Sequence, residues 1–146
     1  MSENILINGP VSHNKISSVI ESISNKIEAG GHSVFIGQVR ADMVGRKMVK
    51  AIEYSAYENM VKKEADQITK MIYAEFNDVK SISILHSVGI VKVREASLFV
   101  LVSAGHRSHS IQACSKLVNM IKEKLPIWKK EIFEDDTHEW KQDSLA

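Results

Sequence analysis

Over residues 12–28 the apolar positions Ile16, Val19, Ile20, Ile23 and Ile27 recur three and four apart, the period of a helix with one buried face. Gly30-Gly31 is expected to close that helix as a left-handed cap. Before it, residues 5–7 read as a short strand, turned by Asn8-Gly9-Pro10. Residues 32–40 are β-rich, with Val34, Phe35, Ile36 and Val39, and residues 41–47, with Gly45, read as a mobile connection. A second strand is expected over 48–56. Val61, Ala65, Ile68 and Ile72 then predict a helix over 58–76. Alternation predicts a strand over 79–88. Residues 96–104 are apolar on both faces, as in a central strand. Ile111, Cys114, Val118, Ile121 and Leu125 give a helix over 107–125 with a narrow apolar seam. Pro126 stops it, residues 127–133 form a last strand, and Trp140 anchors a tail whose end, 141–146, is expected to be loose. The order β-α-β-β-α-β-β-α-β predicts one α+β domain over 1–146, with helices packed on a mostly antiparallel sheet.

Composition narrows the function classes. The 146 residues are 44% apolar and 25% charged, which excludes a disordered chain. The apolar run 98–102 is far shorter than the roughly 20 residues of a membrane span. The start Met1-Ser2-Glu3-Asn4 has no signal-peptide pattern, so a cytoplasmic protein is expected. A lone cysteine, Cys114, excludes a disulfide framework and a multi-cysteine metal site. With 19 basic and 18 acidic residues the net charge is +1, so no nucleic-acid partner is expected, and any anion site is local.

Three places could carry chemistry. His106-Arg107 stands where the apolar strand meets the last helix, and a helix start with an Arg fork suits a phosphate or carboxylate. Alternatively, both side chains only satisfy loop carbonyls. Lys122 lies about 70° from the centre of the apolar seam, at 100° per residue. It is either a snorkelling lysine on the core rim or a partly desolvated nucleophile or base. Lys129 and Lys130 follow Trp128 on a strand, so only one of them shares a face with a given site. Alternation does not choose between them. Arg40 ends a strand, Cys114 reads as core filler, and His32, His86, His109 and His138 lack metal-ligand spacing. No phosphate-loop or nucleophile-elbow pattern occurs.

Val34-Phe35-Ile36-Gly37-Gln38-Val39-Arg40 comes first, then Glu53-Tyr54 with Tyr57 and Met60, then Ser103-Ala104-Gly105-His106-Arg107 and Lys122. Pro126-Ile127-Trp128-Lys129-Lys130-Glu131 follows, with Trp140 after it. In this order the chain resembles the large, catalytic subunit of molybdopterin synthase from about Gly31 to Trp140. The resemblance implies an α/β-hammerhead type of α+β fold with an added antiparallel sheet. It implies a sulfurtransferase that converts cyclic pyranopterin monophosphate into molybdopterin. Two sulfurs come from the C-terminal thiocarboxylate of a small ubiquitin-like partner ending in Gly-Gly. It implies a dimer of large subunits with a small subunit at each end, a heterotetramer. Lys122 and Lys129 become the catalytic lysines, with Arg40, His106, Arg107 and Lys130 joining them in substrate binding. No metal or cofactor is required. The chain departs from the family pattern at His86-Ser87-Val88-Gly89, where His-Arg-x-Gly is usual, and at Arg94, Ile111 and Thr137.

Arg107 and Lys122 are 15 residues apart on one expected helix, about 22 Å at 1.5 Å per residue. One small pterin does not span that gap, so a working site is expected to take Lys122 and Lys129 from one chain and His106 and Arg107 from its twin. Two other readings fit the residues: a non-catalytic dimeric module binding a phosphorylated ligand or a ubiquitin-like protein, and a lysine Schiff-base enzyme.

Overall fold

The computed structural model describes residues 4–141. In chain order the elements are β1 (Leu6–Asn8), α1 (His13–Ile23), β2 (Gly31–Gln38), β3 (Met43–Val44), β4 (Lys47–Ala56), α2 (Glu58–Glu75), β5 (Val79–Lys92), β6 (Ala96–Ala104), α3 (Arg107–Lys124), β7 (Ile127–Phe133) and β8 (His138–Lys141). The strands run β2-β6-β5-β4-β7-β8 across one sheet, with β1 parallel to β5 and β3 antiparallel to β4. Every pairing except that of β1 with β5 is antiparallel, as the α+β class requires.

The long strand β5 joins two halves. Its first part pairs with β6, and its end, from Gly89, pairs with β4. Gly89 has φ +85°, a conformation other residues resist, so it bends the strand where it changes neighbours. The expected end at residue 88 is therefore a bend. The added antiparallel sheet is β4-β7-β8.

β6 explains its own composition. Leu98, Val100 and Val102 join the main core with residues of α2 and α3, whereas Phe99 and Leu101 face a second core with Val11, Ile16 and Ile23. Both faces are covered, so both are apolar.

Several expectations need correction. α1 starts as expected, with the Ser12 hydroxyl accepting from the N–H of Lys15 at 3.1 Å, but it ends at Ile23 and leaves Ile27 94% exposed. Gly30 and Gly31 are not left-handed. A Cβ on Gly30 would collide with the carbonyl oxygen of Gly105, and one on Gly31 would press on Arg107. The pair lets β2 lie close to the start of α3. The segment 41–47 contains β3, turned back onto β4 at Gly45 (φ +64°). The seam of α3 is displaced. Ile111 is exposed, and Ser110, Ala113, Leu117 and Met120 are buried beside Cys114, Val118 and Ile121. The helix packs on both the sheet and α2, so its buried face is broad. β7 is not the last strand: β8 pairs with it and sets the half-exposed Trp140 opposite Lys130. Of the tail 141–146, only Lys141 lies within the described residues.

Candidate active site

The site begins at the break between α3 and β7. Leu125 leaves the helix in an extended conformation, and the N–H of Ile127 donates to the carbonyl of Leu125 at 2.8 Å, a tight turn around Pro126. The turn brings Lys122, from the last turn of α3, and Lys129, the third residue of β7, to one open cavity of about 500 Å³. Arg40, just past the end of β2, lines the same cavity. Three of the expected site residues thus meet.

Lys130 does not line it. In β7 the residues Ile127, Lys129, Glu131 and Phe133 point inward. Lys130 faces the other way, 3.0 Å from a carboxylate oxygen of Glu53 and 5.2 Å from the centre of the Trp140 ring. The strand period that left two candidates open is resolved by the core.

The cavity also contains residues that sequence reasoning passed over. Glu131 is 8% exposed, its buried Oε1 makes no hydrogen bond among the described residues, and Lys141 Nζ stands 3.8 Å away. A carboxylate so placed needs cations around it, and Lys122, Lys129 and Lys141 line the same space. Two-residue alternation from Lys129 was the signal that could have found it. His86 is buried, and its Nδ1 donates to the carbonyl of Ser87 at 2.8 Å. Its ring meets Tyr54 edge-on at 5.3 Å, and the Tyr54 hydroxyl donates to Ser97 Oγ at 3.1 Å. These residues come from different strands, so no local pattern reveals them. Ser87 is wholly buried, and its hydroxyl finds no hydrogen-bond partner among the described residues.

The electrostatics favour an anion. Arg40, Lys122, Lys129 and Lys141 outnumber Asp42 and Glu131 along the cavity wall. Arg40 pairs with Asp42 at 3.3 Å, but its side chain is exposed, where such pairs bind weakly. Cys114 is buried on α3 outside this cavity, and burial pushes its thiol pKa up.

His106 and Arg107 are elsewhere. They start α3, while Lys122 is in its last turn, and neither lines the cavity. Around them the fold assembles a second group. Asp78 Oδ2 accepts from the His106 backbone N–H at 2.8 Å, from His106 Nδ1 at 3.1 Å and from His109 Nδ1 at 2.9 Å. The His109 hydrogen bond, followed by those of His106, holds the Asp78 carboxyl at about 2 although desolvation opposes it. His109 has no ligand spacing in the sequence, yet atoms of Asp78, His106 and His109 able to bind a metal lie within 4.8 Å of one another.

Comparison with known proteins agrees with this architecture. The model of the MoaE protein family matches residues 7–124, from β1 through Arg40, His106 and Arg107 to Lys122. A molybdopterin synthase catalytic subunit from Drosophila grimshawi is 38% identical over 138 residues, 94% of this chain. The chain spans only 37% of that relative's length. The crystal structure of molybdopterin synthase from Staphylococcus aureus superposes with a TM-score of 0.84 at 30% identity, over 97% of this chain and 98% of that one. A Helicobacter pylori complex of subunits 1 and 2 of molybdopterin-converting factor shares the fold at 17% identity, with a TM-score of 0.78 over 92% of this chain and 87% of that one. No helix among the described residues is long and apolar enough to cross a membrane. With the family model running unbroken from the first strand to the end of α3, and a solved relative matching nearly end to end, the chain belongs to the MoaE protein family.

Proposed function

We propose that this chain is the catalytic subunit of a molybdopterin synthase, a sulfurtransferase that converts cyclic pyranopterin monophosphate into molybdopterin. The two dithiolene sulfurs come from the C-terminal thiocarboxylate of a small ubiquitin-like subunit. The observation that carries this reading is the meeting of Lys122, Lys129 and Arg40 in one cavity of a MoaE-family chain.

The residues suit the chemistry. Thiocarboxylate and phosphorylated pterin are both anions, and the cavity wall has an excess of cations. Sulfur is released when water attacks the acyl carbon of the partner's thioester: the C–S bond breaks, sulfur stays on the pterin and the partner keeps a carboxylate. The charge that develops on the carbonyl oxygen is stabilised by two ammonium groups held beside it. The partner's tail enters as an extended peptide, whose Gly-Gly end is narrow enough to reach the lysines. Sulfur arrives on the partner, so Cys114 needs no reactivity. His106 and Arg107 are on the far end of α3 from Lys122, so the twin chain of a homodimer supplies them to complete the phosphate site. Two small subunits then complete a heterotetramer.

A reconstituted assay tests this. The chain is mixed with thiocarboxylated small subunit and cyclic pyranopterin monophosphate, and dithiolene product is read as its oxidised fluorescent pterin. Lys122→Ala and Lys129→Ala each lose about a hundredfold or more in turnover while keeping partner binding, the usual loss when an oxyanion donor is removed. A wild type that binds the partner and makes no product would reduce the chain to a binding module.

A further inference from the structure

The group around Asp78 lies outside the cavity, and neither lysine chemistry nor the family pattern calls on Asp78 or His109. Asp78 sits in the turn between α2 and β5, and it is fastened twice to the start of α3. Its carbonyl accepts from the N–H of Gly105 at 3.0 Å, and its carboxylate accepts from the N–H of His106. His106 makes no capping bond with its own side chain, so a carboxylate from another element caps α3 instead. A Cβ on Gly105 would run into Asp78 Oδ1, so glycine at 105 is what admits the carboxylate.

Placed there, Asp78 also sets two imidazoles. An ionised carboxylate only accepts, so Nδ1 of His106 and Nδ1 of His109 each carry a proton. The Nε2 edge of each ring is then turned away from Asp78. The rings stand edge to face, with centres 6.0 Å apart, beside Arg107. Glu75, the other acidic group at the small cleft beside His109, is tied to Lys116. We infer that Asp78 is the positioning residue of the phosphate site, and that His109 is its second imidazole beside His106 and Arg107. The inference rests on the sulfur-transfer reading above for the identity of the phosphorylated substrate. In the imidazolium form each Nε2 donates to a phosphate oxygen, and the Arg107 fork supplies permanent charge. The same three residues resemble a metal triad, but Asp78 already holds the Nδ1 of both rings and Arg107 stands beside them, which favours an anion at the Nε2 edges over a cation at the triad.

The test uses Asp78→Asn, which keeps shape and an acceptor but removes charge, and His109→Ala, which leaves the cap of α3 intact. Each is assayed in the reconstituted synthase with inorganic phosphate as competitor. Expected is a rise in KM for the pyranopterin of about tenfold, the loss of one charge-assisted hydrogen bond, with kcat little changed and phosphate inhibition weakened. Nitrogen-15 NMR of histidine-labelled protein gives a second readout. In the wild type both neutral rings carry the proton on Nδ1, and in Asp78→Ala they shift toward Nε2. Unchanged KM and phosphate inhibition in both variants, with an active wild type, would overturn the inference and leave the sulfur-transfer reading standing. An inactive wild type would overturn that reading instead, and the NMR signature would still decide what Asp78 does. If Asp78→Asn fails to fold, His109→Ala decides. Stoichiometric Zn²⁺ uptake by the wild type, lost in His109→Ala, would also overturn the inference, because the Nδ1 atoms would then be ligands.

Discussion

Asp78 has a consequence for stability that depends on acidity. Its folded carboxyl is held at about 2 by His109 and His106, below its ordinary 3.8. A depressed carboxyl stabilises the fold above its unfolded value and loses that effect as pH falls toward the folded one. Urea midpoints of the wild type and Asp78→Asn are therefore expected to differ most from neutral pH down to roughly pH 4, and to converge toward about pH 2. A gap that stayed constant over this range would mean the carboxylate charge contributes nothing. The residue scale also shows what a sequence reveals. That Lys122 approaches the start of β7 is legible, because only a helix end and Pro126 intervene, whereas the choice of Lys129 over Lys130 is not visible in alternation and rests on the resemblance. Asp78 lies 28 and 31 residues from its histidines, and His86 meets Tyr54 only through the β4–β5 pairing, so no spacing rule connects them.

At the scale of elements, most boundaries follow from periodicity, and the misses share a physical cause. α2 buries the four residues its pattern names, because it presents one face to one core. α3 serves two neighbours, so its wheel misplaces Ile111 and hides the role of Ala113, Leu117 and Met120. β8 and β3 are short and owe their existence to a partner strand, which sequence does not display. Gly30-Gly31 has the pattern of a left-handed helix cap, but its function is close backbone approach. Gly30→Ala is accordingly expected to cost about 1–3 kcal/mol in denaturant unfolding, as overpacking does, because the obstructing atom is a backbone oxygen that cannot rotate aside. A cost within a few tenths of a kcal/mol would show that β2 and α3 are not held at this point.

At the scale of the molecule, the proposed sharing of sites between the chains of a dimer predicts complementation, given the separation of the two groups along α3. A heterodimer of one Lys122→Ala chain and one Arg107→Ala chain retains one intact composite site and loses the other. Mixed dimers are therefore expected to recover about half the turnover per wild-type dimer, whereas each homodimeric variant stays nearly inactive. No recovery would overturn the sharing of sites between chains. There is a further consequence for how the chain tolerates change in length. α3 acts as a ruler, with His109 in its first turn and Lys122 in its last lining different clefts. Inserting one residue midway would advance the far end by about 1.5 Å and swing Lys122 by about 100° out of its cleft. Only insertions or deletions close to whole turns would keep both ends aimed. The spacing between Arg107 and Lys122 is thus a fixed dimension of the molecule, whereas the hairpin around β3 has no such length to keep.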